Sequence, residues 1–158
     1  MIESYLQILR DSLDKKLKLL LAIEGKSLEQ SEMLKSTSVD LTAIDVNMDE
    51  KAELIEQVIS LDDGFESIYE KIRECLLSNK ELYKDEIKMI KAMIEKVTEK
   101  SASIQAIEAR NKAQMEIFFS GQKRKIQSQR NAMSVAKDYY QNMNKVKNVS
   151  PQFLDRKK

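Results

Sequence analysis

The stretch Asn79–Phe119, NKELYKDEIKMIKAMIEKVTEKSASIQAIEARNKAQMEIFF, runs 41 residues without a Gly or a Pro. Its apolar stripe is Leu82, Ile87, Ile90, Ile94, Val97, Ile104, Ile107, Met115 and Phe118. Between Ile87 and Ile104 the steps alternate 3 and 4 once Ser101 takes one core position, which is a heptad pattern. Neighbouring helices should therefore cross at a shallow angle, as in a coiled coil. Ser78 or Asn79 is the expected start, with Glu81 three residues after Ser78. Such a helix spans about 60 Å at roughly 1.5 Å per residue.

Two further helices precede it. Asn47, with Glu50 three residues on, reads as the capping box of a second helix. Its stripe is Leu54, Val58, Leu61, Phe65, Ile68, Ile72 and Cys75, widened by Ile55, Ile59 and Leu76. Gly64 lies inside this run without changing its phase, so the helix is expected to continue through it. The first helix runs from about Ile2 to Lys35 on Ile2, Leu6, Leu9, Leu13, Leu17 and Leu20, with a soft spot at Gly25. Ser36–Val46 collects β-branched residues with Ser, Thr and Asp, which compete for backbone hydrogen bonds and favour a loop. Val39, Leu41 and Ile44 are expected to tuck back onto the bundle. The fold class is all-α, with three long antiparallel helices in a coiled-coil-like bundle plus a C-terminal amphipathic helical arm.

Charge divides the chain. From Gly121 to Lys158 ten basic residues face only Asp138 and Asp155, a net of +8, so the first 120 residues carry −7 within an overall +1. This suggests a helical body over 1–120, a basic partner-binding arm over 121–147 and a C-terminal tail over 148–158. After Lys123-Arg124-Lys125, the arm resumes an amphipathic pattern at Ile126, Met133, Ala136, Tyr140 and Met143. Asn148-Val149-Ser150-Pro151 then breaks it. Met suits adaptable helix-gripping surfaces and Tyr supplies rigid contact area. Ile126, Met133, Ala136, Tyr139, Tyr140 and Met143 are therefore the candidate partner-binding residues. The same residues could instead fold back and complete a fourth layer of core.

Most catalytic chemistry is absent from the composition. With His 0 and Cys 1, there is no imidazole base, no His-bearing zinc or di-iron site and no internal disulfide. Nor is there a Gly-rich phosphate loop or a nucleophile elbow. Asp62 and Glu66 stand one turn apart, a spacing that can share a cation, but acidic residues on a solvated face explain them better. Cys75 reads as a small buried thiol on the second stripe. The expectation is a cytoplasmic non-enzyme without cofactor or metal, not inserted in a membrane. The acidic body argues against a nucleic-acid partner for the basic arm. Self-association through the third helix, as a homodimer or a structural coiled-coil adaptor, stays open.

Three features resemble the FlgN-like flagellar export chaperones. These are Glu53-Leu54-Ile55 through Leu61-Asp62-Asp63-Gly64-Phe65, then Ile107-Glu108-Ala109-Arg110-Asn111, and the Tyr-bearing basic C-terminal region. The resemblance covers most of the chain. It implies a cytoplasmic chaperone that binds the C-terminal helices of flagellar hook-associated proteins at the hook–filament junction and delivers them to the type III export gate. The region implied to bind is about Ile126 to Met143. Family members often carry a Tyr closely followed by Gly near this point. Here the sequence is Tyr139-Tyr140-Gln141-Asn142-Met143, without the glycine, and Tyr140 is the counterpart. The FliT-like chaperone of the filament-cap protein has a similar layout and is the alternative.

Overall fold

In the computed structural model, which describes residues 2–121 and 126–143, the elements are α1 (Ile2–Lys35), α2 (Leu41–Ser78), α3 (Lys84–Gly121) and α4 (Ile126–Met143). Side chains are described for 2–120 and 134–143. The tail over 148–158 and the Lys123-Arg124-Lys125 segment lie outside the described residues.

The expected all-α bundle is present: three long helices pack on one another and a shorter C-terminal helix joins them. α1 packs against both α2 and α3, and α2 also carries α4. The pairs Lys16–Asp62 and Lys26–Glu50 run in opposite senses along α1 and α2. Glu24–Lys100 and Ser31–Asn111 advance together along α1 and α3. The long helices thus run up, down and up.

Heptad spacing explains the burial. In α1 the buried residues are Leu6, Leu9, Leu13, Lys16, Leu20, Ile23, Ser27 and Gln30, alternating 3 and 4 throughout. From Met48 to Leu76, α2 follows the same rhythm through Lys51, Ile55, Val58, Asp62, Phe65, Tyr69 and Ile72. In α3, Ile87, Ile90, Val97, Ser101, Ile104, Glu108, Asn111 and Met115 are buried, so Ser101 does occupy a core position. Gly25 and Gly64 interrupt neither helix.

Several local expectations need correction. The second helix starts at Leu41, not Asn47, because Asp40 caps it: Asp40 Oδ1 accepts from the amides of Thr42 and Ala43 at 3.0 and 3.2 Å. The loop therefore shrinks to 36–40, and Ile44 enters the core from within the helix. Asn47 lies buried inside α2 and donates to Lys26 O at 2.9 Å and to Glu29 Oε1 at 3.0 Å. The third helix begins at Lys84 rather than at Ser78 or Asn79. Asn79 instead closes α2, its amide donating to the Cys75 and Leu76 carbonyls. Leu82 consequently sits in the turn, 72% exposed, outside the stripe. Cys75 is exposed rather than buried, since the core line passes through Leu76. Asp62 is not on a solvated face: it is buried and accepts from Lys16 Nζ at 2.6 Å. Among the described residues no helix is long and apolar enough to cross a membrane.

Candidate functional site

The fourth helix meets the bundle where its core turns polar. Towards the C-terminus of α1, the heptad line passes from Leu20 and Ile23 to Ser27 and Gln30. Facing them are Lys51 from α2 and Glu108 and Asn111 from α3, all buried. Apolar packing cannot satisfy these groups, so they must bond one another.

They do so in one connected network. Lys51 Nζ donates to both carboxylate oxygens of Glu108 at 3.2 Å and to Gln30 Oε1. Asn111 Nδ2 donates to Ser27 O at 2.9 Å, with Gln30 Oε1 at 3.3 Å and Glu108 Oε1 at 3.4 Å. Ser31 Oγ donates to Asn111 Oδ1 at 2.6 Å. From α4, the hydroxyl of Tyr139 donates to Glu108 Oε2. The Tyr139 ring lies 4.6 Å below the Lys51 ammonium, a cation–π contact made away from water. All four helices thus contribute to one buried knot.

Burial sets its electrostatics. The Glu108 carboxyl titrates above its ordinary range, first because it is desolvated, with the Lys51 charge pulling the other way. Lys51 is pushed below its ordinary value, again first by burial and against the attraction of Glu108. Desolvation moves both partners towards neutrality.

The candidate partner-binding residues separate on this geometry. Ala136, Tyr139 and Met143, at steps of 3 and 4, are buried against the bundle, and Tyr139 is 0% exposed. Tyr140 is half-buried, its ring edge-on to Tyr139 at 5.1 Å between centroids and 5.9 Å from Lys112 Nζ. Burial, and next the charge of Glu108, raises its phenol pKa. Ile126 and Met133 lie on α4, but their side chains are outside the described residues. α4 is therefore docked, as the fold-back alternative anticipated.

Docking leaves a cleft of about 370 Å³ between α3 and α4. Met115 and Phe119 line it from α3, Ala136 and Tyr140 from α4, with Lys112, Glu116 and Lys137 around them. Sequence reasoning missed Met115 and Phe119 as site residues: Met115 stands on a stripe that reads equally well as core, and Phe119 falls one position beyond Phe118, where that stripe ends. It also missed Lys51 and Glu108, which an apolar pattern cannot reveal. A Lys and a Glu standing on otherwise apolar heptad lines was the available signal.

No family model, no curated protein and no solved structure matches the chain.

Proposed function

We propose that the protein is a cytoplasmic export chaperone that binds an amphipathic helix of its client in the cleft between α3 and α4. By the resemblance of the sequence, the clients are the C-terminal helices of flagellar hook-associated proteins at the hook–filament junction, handed on to the type III export gate. The observation that carries this reading is the cleft itself. Met115, Phe119, Ala136 and Tyr140 offer an apolar channel with cationic side chains on both helices, Lys112 on one and Lys137 on the other. An amphipathic helix entering it would bury its apolar stripe and set acidic residues against those lysines. A specific complex would cover about 800 Å² on each partner.

In this reading α4 is a wall of the site. Tyr139 anchors the wall through Glu108, while Tyr140, half-buried at the cleft, meets the client. Binding and release need no catalytic group.

The test is co-expression with the C-terminal region of a junction protein from the same cell. A defined heterocomplex that survives gel filtration supports the reading. A chain that forms a stable homo-oligomer and ignores the client supports the coiled-coil adaptor instead. Preference for the filament-cap protein over the junction proteins would reassign it to the FliT-like type.

A further inference from the structure

Asp40 and Asn79, residues that favour caps and turns, mark the first two connections of the chain, one opening α2 and the other closing it. The third connection has no such residue. Between α3 and α4 stand Gln122-Lys123-Arg124-Lys125, all good helix formers. No capping side chain therefore precedes Ile126, and the first turn of α4 holds no acidic residue to meet its dipole. From Lys84 to Met143 the sequence contains no Pro and no Gly other than Gly121. Local preference thus favours one unbroken helix.

What turns the chain back is the docking of α4. Its buried face, Ala136, Tyr139 and Met143, is seated on α2 and, through the Tyr139–Glu108 bond, on α3. A second copy offers the same seat with the same contacts. Two chains that exchange α4 keep this docking and satisfy the local preference as well, whereas a single chain must set one against the other. Charge favours the exchange, because the +8 of residues 121–158 then joins the −7 body of the other copy. Ile117, 65% exposed and one turn before Gly121, lies near the point where the two long helices would cross.

We propose that α3 and α4 join into one helix from Lys84 to Met143, about 90 Å long, and that two copies exchange α4 to form an end-to-end dimer. Each α3–α4 cleft then takes one wall from each chain, so the Tyr139 and Tyr140 of one copy complete the site of the other. The inference holds whatever fills that cleft. It also differs from self-association through α3, which leaves α4 on its own chain.

The test uses the full-length chain with Cys75→Ser and with spin labels at Glu95→Cys and Asp138→Cys, both exposed positions. Labelled chain is refolded with excess unlabelled chain, so that only distances within one chain are read. In the hairpin, the Tyr139–Glu108 contact keeps the two labels within roughly 30 Å. In the joined helix they stand roughly 65 Å apart, at about 1.5 Å per residue. Light scattering should show a two-chain mass that grows with concentration, and that species should give the long distance. Arg124→Pro breaks the joined helix and should weaken the dimer at least about tenfold while the bundle stays folded. Inserting Gly-Asn after Arg124 lengthens the connection and should do the same. A single-chain mass at every concentration, a dimer that gives only the short distance, or a dimer undiminished in either folded variant overturns the proposal.

Discussion

The hydroxyl of Tyr139 on α4 donates to the carboxylate of Glu108 on α3 with both side chains buried, and this bond ties the C-terminal helix to the bundle. Removing only the hydroxyl should therefore cost more than a surface hydrogen bond. Tyr139→Phe is expected to destabilise by about 1–3 kcal/mol, since a buried carboxylate oxygen loses a donor. Tyr139→Ala also removes a packed ring and should cost about 3–5 kcal/mol. Urea unfolding measures both, and amide exchange along 134–143 should quicken more than exchange in α1.

Lys51 and Glu108 should show the asymmetry of a buried ion pair. Lys51→Met alone strands a desolvated carboxylate and should cost about 3–5 kcal/mol. The double variant Lys51→Met, Glu108→Leu removes both charges and should recover most of that loss. A double-mutant cycle in urea reads the coupling directly. Additive losses would mean that the two groups do not depend on one another.

The raised pKa of Glu108 fixes the sign of a pH dependence. The folded chain holds its proton above the ordinary glutamate value of 4.5, where the unfolded chain has released it. Folding is therefore linked to proton uptake in that window, and the contribution of Glu108 is complete below it and lost as pH rises through the folded pKa. The groups facing it are Lys51 from α2 and Tyr139 and Tyr140 from α4. Lys51, depressed by burial, gives the opposite slope in an alkaline window below its ordinary 10.5. Stability measured upward from the ordinary glutamate value of 4.5 should fall relative to Glu108→Gln as pH increases.

Gly25 lies within α1 with nothing within 4 Å of a would-be Cβ. Gly25→Ala should stabilise the fold by about 1 kcal/mol, through helix propensity and a less flexible unfolded chain. Thermal melting checks it, and a lower midpoint would show that the glycine relieves a strain the backbone does not display.

How far the sequence could be read depended on which residues carried the core. α1 was legible from Leu6, Leu9, Leu13 and Leu20 because charged neighbours frame a narrow stripe. α2 was harder. Leu54 and Ile55, Val58 and Ile59, and Cys75 and Leu76 offer adjacent apolar residues, so the stripe could slide by one position. The core passes instead through Ile55, Asp62, Tyr69 and Leu76, a line on which Asp62 looks out of place until Lys16 is seen opposite it. The same blindness hid Lys51 and Glu108. As a cap Asp40 is the weaker local signal, because Asn47 with Glu50 makes the fuller motif, yet the helix starts at Leu41 and carries Ile44 into the core. Along α4 the amphipathic pattern reads through Ala136, Tyr140 and Met143, whereas the buried face runs through Ala136, Tyr139 and Met143; two adjacent tyrosines let the stripe slide by one position, and only the fold shows that this face turns inward.

The central claim is that a client helix occupies the cleft between α3 and α4. Its most direct test is calorimetric titration of the C-terminal helix of a hook–filament junction protein into the wild-type chain, Tyr140→Ala and Lys137→Ala. The account predicts a one-to-one complex that Tyr140→Ala weakens by about 2 kcal/mol or more and Lys137→Ala by well under about 1 kcal/mol, because the aromatic is buried at the contact and the lysine is at its rim. Equal losses in the two folded variants, or wild-type affinity in Tyr140→Ala, would contradict it.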